Sequence, residues 1–372
     1  MNAPKKKRQS NIEFLRIFSM ILIMGHHFSY HGISTYVKDS LDINKYKKKV
    51  NFIFFFGPAG KIGVAIFFMI SGYFYINKSN VNLTIVIYET IFYGVLTGII
   101  GILFVHYGFK LRYDDTQSFI DSNISQILNP ITGGSSYWFV SIYVLIISFT
   151  PIINVFLRKL NKIGYFLFLV LYWVLWYSFP YYYYYYSIFI NLENGLFFYC
   201  LGGFIKLHLK KQDNLLFIFI HLFIALLGFY ISSYYFLISY SIGYVISCFG
   251  TFRFFEGLNL GSYNFINLIS QSTFSVYLIH DSRSFRDIIW KSINWNYIYQ
   301  SKYFLFYAFI IIFSIFFVCV VVDIFQKKFR LINVIPIDRF PKNISKTSRI
   351  MNKINRESRL RNNINKIIRT KI

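Results

Sequence analysis

Asn11-Ile12-Glu13-Phe14-Leu15-Arg16-Ile17-Phe18-Ser19-Met20-Ile21-Leu22-Ile23-Met24-Gly25-His26-His27-Phe28-Ser29-Tyr30-His31 decides how the rest of the chain is read. The stretch is long and apolar enough for a first membrane helix, which needs about 20 residues. Asn11 stands where an N-cap accepts from the free amides of the first turn, and Glu13 where the helix dipole favours an acid. At about 100° and 1.5 Å per residue, the step from Arg16 to His27 turns roughly 1100°, about 20° past three circles. Arg16 and His27 therefore share a face, about 16 Å apart along the axis. Glu13 falls roughly 60° from that line and His26 roughly 80°. Titratable groups on one stripe of an apolar helix are costly in lipid, so the stripe is expected to face protein. Taken alone, the pattern also fits a snorkelling arginine and an interfacial histidine pair.

Working outward, the composition excludes an ordinary soluble domain. Of 372 residues, 55% are hydrophobic, 22% aromatic and only 15% charged. Runs of spanning length fall at about 12–30, 61–77, 81–106, 137–157, 163–180, 188–207, 214–232, 234–252, 265–281 and 303–326. The reading is thus an all-α polytopic membrane protein of about ten transmembrane helices. The polar pair Ser232-Ser233 is taken as the turn that divides 214–252. No small-residue cleavage site interrupts the first run after Lys5-Lys6-Lys7-Arg8, so that helix is expected to stay as an anchor. With both termini cytoplasmic, Lys78, Arg158-Lys159, Lys206, Lys210-Lys211 and Arg253 fall inside, as the positive-inside rule requires. The outer loop 31–60 is the exception, carrying Lys38, Lys45 and Lys47-Lys48-Lys49.

Residues 327–372 form a separate basic tail, with 14 Lys and Arg against 2 acids, which supplies half of the net charge of +24. Ile350, Ile354, Leu360, Ile364 and Ile367 recur among those bases as in an interfacial amphipathic helix on anionic lipid. A nucleic-acid partner is not expected for a tail joined to so many spans. Cys200, Cys248 and Cys319 lie in apolar runs without CxxC spacing, which fits neither a disulfide framework nor a thiolate metal site. His27 and His31 are four apart, a spacing that can hold a metal on one helix face, but no partner carboxylate is in view and no metal is expected.

An arginine, ten residues and a histidine on a first helix, with an acid three before the arginine, resembles the membrane-bound acyltransferase-3 family, whose members O-acylate cell-surface sugars. The motif here is Glu13-Phe14-Leu15-Arg16 through His26-His27. Three further blocks follow in order. Gly63-Val64-Ala65-Ile66-Phe67-Phe68-Met69-Ile70-Ser71-Gly72-Tyr73-Phe74 looks like the family's second-helix signature; Lys78 follows, where relatives often carry a base for the acyl-coenzyme A phosphates. Trp138 enters the fourth run, although the His-Leu and the Glu that many relatives place around it are here Ser136-Tyr137 and Ser141-Ile142-Tyr143. Gln271-Ser272-Thr273-Phe274-Ser275-Val276-Tyr277-Leu278-Ile279-His280 is similar to the family's last block. The resemblance covers roughly 10–326 and implies a membrane-bound acyltransferase domain over 1–326.

The resemblance makes His27 the catalytic residue, with Arg16 and Glu13 as an orienting ion pair. It places Arg16, Ser71 and Lys78 on the side of the donor, acetyl-CoA in the simplest case. Trp138, His280 and Arg283 are the expected acceptor contacts, His280 standing at the same depth as His27. Asp281, Arg283, Arg286 and Asp287 read either as an anion-binding loop or as a solvated mixed-charge loop. Glu193 and Asn194 fit a helix start, and Tyr181 to Tyr186 fit either sugar stacking or interfacial anchoring. Two function classes follow. One is an O-acetyltransferase of a bacterial cell membrane, acting on a capsular or wall polysaccharide or a lipid-linked sugar; the other is a transporter of such sugars, whose charges line a path with no bond made.

Overall fold

A computed structural model describes residues 8–36, 47–79, 81–107, 120–121, 124, 137–178, 187–234 and 242–329. The lysines at 5–7, 38 and 45, the turn Gly133-Gly134-Ser135-Ser136, the tyrosines 181–186 and the tail beyond 329 lie outside the described residues. The chain divides into a unit of residues 1–326 and one of residues 327–372. Among the described residues the regular structure is helical, with no strand.

The elements are α1 Ser10–His27, continued by a π-helical turn Phe28–Ile33, then α2 Lys47–Tyr75, α3 Thr84–His106, α4 Trp138–Leu157 and α5 Lys162–Ser178. They continue as α6 Ser187–His208, α7 Leu215–Tyr234, α8 Ile242–Gly257, α9 Asn264–Ser270, α10 Thr273–His280, α11 Arg283–Lys291, α12 Trp295–Gln300 and α13 Phe304–Lys328. Among the described residues, five segments are long and apolar enough to cross a membrane: Phe55–Tyr75, Thr84–His106, Trp138–Leu157, Leu215–Ser233 and Phe304–Lys328. Two of them, α7 and α13, expose rows of large apolar side chains, among them Phe219, Phe223, Phe309 and Val318, as a surface turned to lipid does. The multi-pass character follows from these helices.

Helix α1 is different. Its Ser10, Asn11, Glu13 and Ser19 are buried together with Ile12, Leu15, Met20 and Met24, so protein surrounds it on most sides. A helix that keeps polar groups inside a bundle has low mean hydropathy for a physical reason: its neighbours, rather than lipid, satisfy those groups. Glycines bring the neighbours close. A Cβ on Gly63 of α2 would overlap the Ser19 carbonyl of α1, and one on Gly72 would overlap the Tyr199 carbonyl of α6.

Several expectations are corrected. Asn11 does not cap its own helix; its Nδ2 donates to the carbonyls of Phe255 (3.1 Å) and Glu256 (3.0 Å), closing the C-terminal end of α8, where carbonyls lack helical partners. Residues 47–60, assigned to an outer loop on their charge, are the first half of α2. Pro58 removes one amide donor there, but Phe56 and Ala59 are buried, and Phe52 packs on Phe304 with ring centroids 5.4 Å apart. Apolar contact outweighs both lysine and proline. Ser232-Ser233 is no turn, because each hydroxyl donates to the carbonyl four residues earlier, Gly228 and Phe229, and so needs no break in α7. The run 265–281 is interrupted at Gln271-Ser272 into α9 and α10, where Gln271 Nε2 and the Thr273 hydroxyl donate back to the carbonyls of Asn267 and Ser270.

Candidate active site

His27, the last residue of α1, is set against the end of α10. Its Nδ1 lies 3.0 Å from Nε2 of His280, whose Nδ1 in turn lies 2.6 Å from the Val276 carbonyl one helical turn back. His280 is fully buried. The rings of His27 and His31 are 5.0 Å apart. His26 also lines the cavity, but it stacks on Tyr30 at 5.8 Å with rings 5° from parallel rather than on His280.

His27 opens on a cavity of about 350 Å³, a volume within the range of small-molecule sites. Aromatic rings of Trp138, Tyr172 and Trp173 form part of the wall, with the amides of Asn191 and Asn194 and the Glu193 carboxylate beside them. Lys61 and Arg286 supply cations and Asp281 an anion. Glu193 and Asn194 were expected at a helix start. They stand inside α6, one or two turns past its first residue, and the Tyr172 hydroxyl of α5 donates to the Glu193 carbonyl at 3.0 Å. Tyr137, just before α4, is the one non-glycine residue with positive φ among those described, at 49°. Its hydroxyl donates to the Leu278 carbonyl at 2.5 Å, tying the left-handed turn that delivers Trp138 to the cavity onto α10, and such a backbone persists only where its surroundings hold it.

The segment after His280 is not a solvated loop. Ser282 caps α11 by accepting from the Phe285 amide, and this turn returns Arg286 so that its Nη2 meets Asp281 Oδ1 at 2.8 Å and the Asp281 carbonyl at 3.0 Å. Asp281 is 5% exposed, and its carboxylate pushes the Arg286 guanidinium above its usual range, keeping it charged. Arg286, three residues beyond Arg283, reaches the cavity wall; Arg283 does not. His280 also stands off the wall, behind His27. Asp281 and Arg286 belonged to the loop read as either anion-binding or solvated, and the Ser282 cap brings them to the wall; Lys61, Tyr172, Trp173 and Asn191 were not singled out as site residues.

His27, His31 and Asp281 present ligand atoms within 4.8 Å of one another, so the fold supplies the carboxylate that the four-residue histidine spacing lacked. The guanidinium already on Asp281 makes that set a poor host for a second cation.

Arg16 lies about three turns below His27, some 16 Å away along α1. Its Nη1 pairs with Glu13 at 3.0 Å, and Arg8 approaches the same carboxylate at 3.5 Å. On α4, Tyr143 lies within electrostatic reach of Tyr75 and Ser71 of α2 and of Arg16. Lys78 places Nζ 4.5 Å above the Tyr75 ring. Arg16, Ser71 and Lys78 therefore come to one neighbourhood, joined by two tyrosines. Asn154 holds the end of α2 there, donating to the Tyr75 and Lys78 carbonyls at 2.7 and 3.0 Å. Phe68 of the cavity wall packs on Phe139, and Phe139 on Tyr143 of this neighbourhood, with centroids 5.2 and 5.9 Å apart.

Apolar helices around a buried first helix that keeps polar groups inside, with an imidazole in the wall of a partly aromatic cavity, define a multi-pass membrane protein with a polar site inside its helical bundle. The acyltransferase-3 family model, described as an acyltransferase domain, matches residues 9–323, and the chain belongs to that family of membrane acyltransferases. Comparison with curated proteins and with solved structures finds no match.

Proposed function

We propose that the protein is an O-acyltransferase of a bacterial cell membrane. It takes an acyl group, acetyl in the simplest case, from cytoplasmic acyl-coenzyme A and delivers it to a hydroxyl of an extracytoplasmic capsular or wall polysaccharide, or of a lipid-linked sugar. The observation that carries this reading is that α1 holds His27 in the cavity wall at one end and the Glu13–Arg16 pair, beside Ser71 and Lys78, toward the other. The first place suits an acceptor sugar, because Trp138 and Trp173 offer faces to the ring and Asn191 and Asn194 offer amides to its hydroxyls. The second suits the anionic coenzyme, with Arg16 and Lys78 as its cations.

In the reaction, His27 withdraws the acceptor hydroxyl proton as the oxygen attacks the thioester carbonyl. The new C–O bond forms, the C–S bond breaks, and the thiolate leaves to be protonated as free coenzyme A. If His27 carries the acyl group instead, an N–C bond replaces the C–S bond first and the sugar oxygen then replaces the nitrogen. A neutral imidazole serves either course. Trp138 orients the sugar, and Arg286, held by Asp281, meets a negative charge on the acceptor or on the developing oxyanion. The test is mass spectrometry of surface glycans from cells with the gene, without it, and complemented with His27→Ala. Ester-linked acyl groups should be present only in the first. Identical glycans in all three would overturn the proposal.

A further inference from the structure

We propose that His280 is the positioning residue that fixes which nitrogen of His27 does the chemistry, by holding His27 in the tautomer that bears its proton on Nδ1. This role rests on that proposed for His27 as base or acyl carrier and on a chain of two hydrogen bonds whose directions are forced. The Val276 carbonyl can only accept, so His280 Nδ1, 2.6 Å away, must carry a hydrogen. A neutral His280 then has its lone pair on Nε2. That atom is 3.0 Å from His27 Nδ1, which must therefore donate. One tautomer of His27 is left: proton on Nδ1, lone pair on Nε2 at the opposite edge of the ring. His280 stands off the cavity wall and His27 on it, so the reactive edge is the one offered to the substrates.

The surroundings make the order stiff. His280 is fully buried, as are Val276 and Ser275 beside it, and Tyr137 ties the same helix to α4 through the Leu278 carbonyl. Asp281 Oδ1 lies 3.7 Å from His27 Nδ1, too far for a hydrogen bond but close enough to favour an imidazolium there. When Nε2 takes the hydroxyl proton, the positive charge that forms on His27 is shared with His280 across the bond at Nδ1 and faced by Asp281, while Arg286 holds that carboxylate in place. The arrangement does for a histidine what an acid behind a catalytic imidazole does elsewhere, with a neutral acceptor as the orienting group and the anion one step aside. His280 touches neither substrate.

The experiment uses the full chain in lipid bilayers with histidine labelled by ¹⁵N, alongside acyl-transfer kinetics. Seven histidines keep the spectrum sparse, and the His27 signals are those lost in His27→Gln. Wild type should show His27 with a protonated Nδ1 and a bare Nε2. In His280→Ala the two forms should mix, and kcat should fall on the order of 100-fold, the scale of a general base's contribution, with KM for acyl-coenzyme A little changed. His280→Gln, whose amide oxygen restores an acceptor, should recover the tautomer and much of the rate. A merely structural histidine would lower the folded fraction without moving the tautomer. A wild-type His27 protonated on Nε2, or a His280→Ala protein at full kcat, would overturn the proposal. Absence of acyl transfer by the wild type would instead defeat the functional reading, and the tautomer would still be decided by the spectrum.

Discussion

At the scale of single residues, the two adjacent histidines share the cavity wall and differ in their partners. His26 is stacked on Tyr30, whereas His27 faces His280. His27→Ala should therefore abolish acyl transfer, by at least about 100-fold, while His26→Ala keeps the Cβ that meets Gly60 and leaves substantial activity. Both proteins should insert and accumulate. Equal losses measured in membranes with matched protein amounts would remove the distinction. The sequence made His27 and Trp138 visible because helical phase and an ordered motif need nothing beyond the chain itself. It could not show that Asp281 and Arg286 are partners, since that depends on the turn at Ser282, nor that Asn11 serves the end of another helix 244 residues away. A carboxamide at a helix start reads locally as a cap; only the packing of α1 against α8 gives it a different set of carbonyls.

At the scale of elements, the apolar runs fall on helices because in lipid the backbone leaves few alternatives, although 265–281 holds two short ones rather than a span. Boundaries were less legible. Charge alone misplaced the start of α2, and hydroxyls that bond within their own helix imitated a turn at Ser232-Ser233. Close crossings were legible as small residues but not as to which helix each one meets. The Gly72 contact with the Tyr199 carbonyl makes Gly72→Ala a test of the α2–α6 crossing: overlap with backbone should cost about 1–3 kcal/mol, seen as a lower midpoint in thermal unfolding. Gly164→Ala in α5, where the nearest atom to a new Cβ is a side-chain oxygen of Asn161 at 3.2 Å, should be nearly neutral. Equal melting curves would mean that α2 and α6 are not in backbone contact. The far end of α2 carries the donor-side prediction. Lys78→Ala should raise KM for acyl-coenzyme A more than it lowers kcat, as loss of uniform binding does. An unchanged KM in steady-state assays would return Lys78 to the role of a positive-inside anchor.

At the scale of the whole molecule, α1, α2 and α4 each pass from the cavity to the neighbourhood of Arg16, and Phe139 packs between Phe68 of the first and Tyr143 of the second. This division into two places joined by three helices was not legible in any one motif; it appears when Trp138 and Tyr143, five residues apart on α4, are seen at different depths. About 16 Å between His27 and Arg16 is half of a hydrocarbon core of roughly 30 Å, so a donor bound at the Arg16 level must send its acyl end through protein to reach His27. Sealed membrane vesicles with the cytoplasmic face outward measure that passage directly. Given acyl-labelled coenzyme A in the bath, wild-type vesicles should consume it and retain the label, ester-linked, on acceptor enclosed within, and His27→Ala vesicles should not. Movement of unmodified acceptor that is indifferent to the donor, or labelled product formed only on the bath side, would contradict the account.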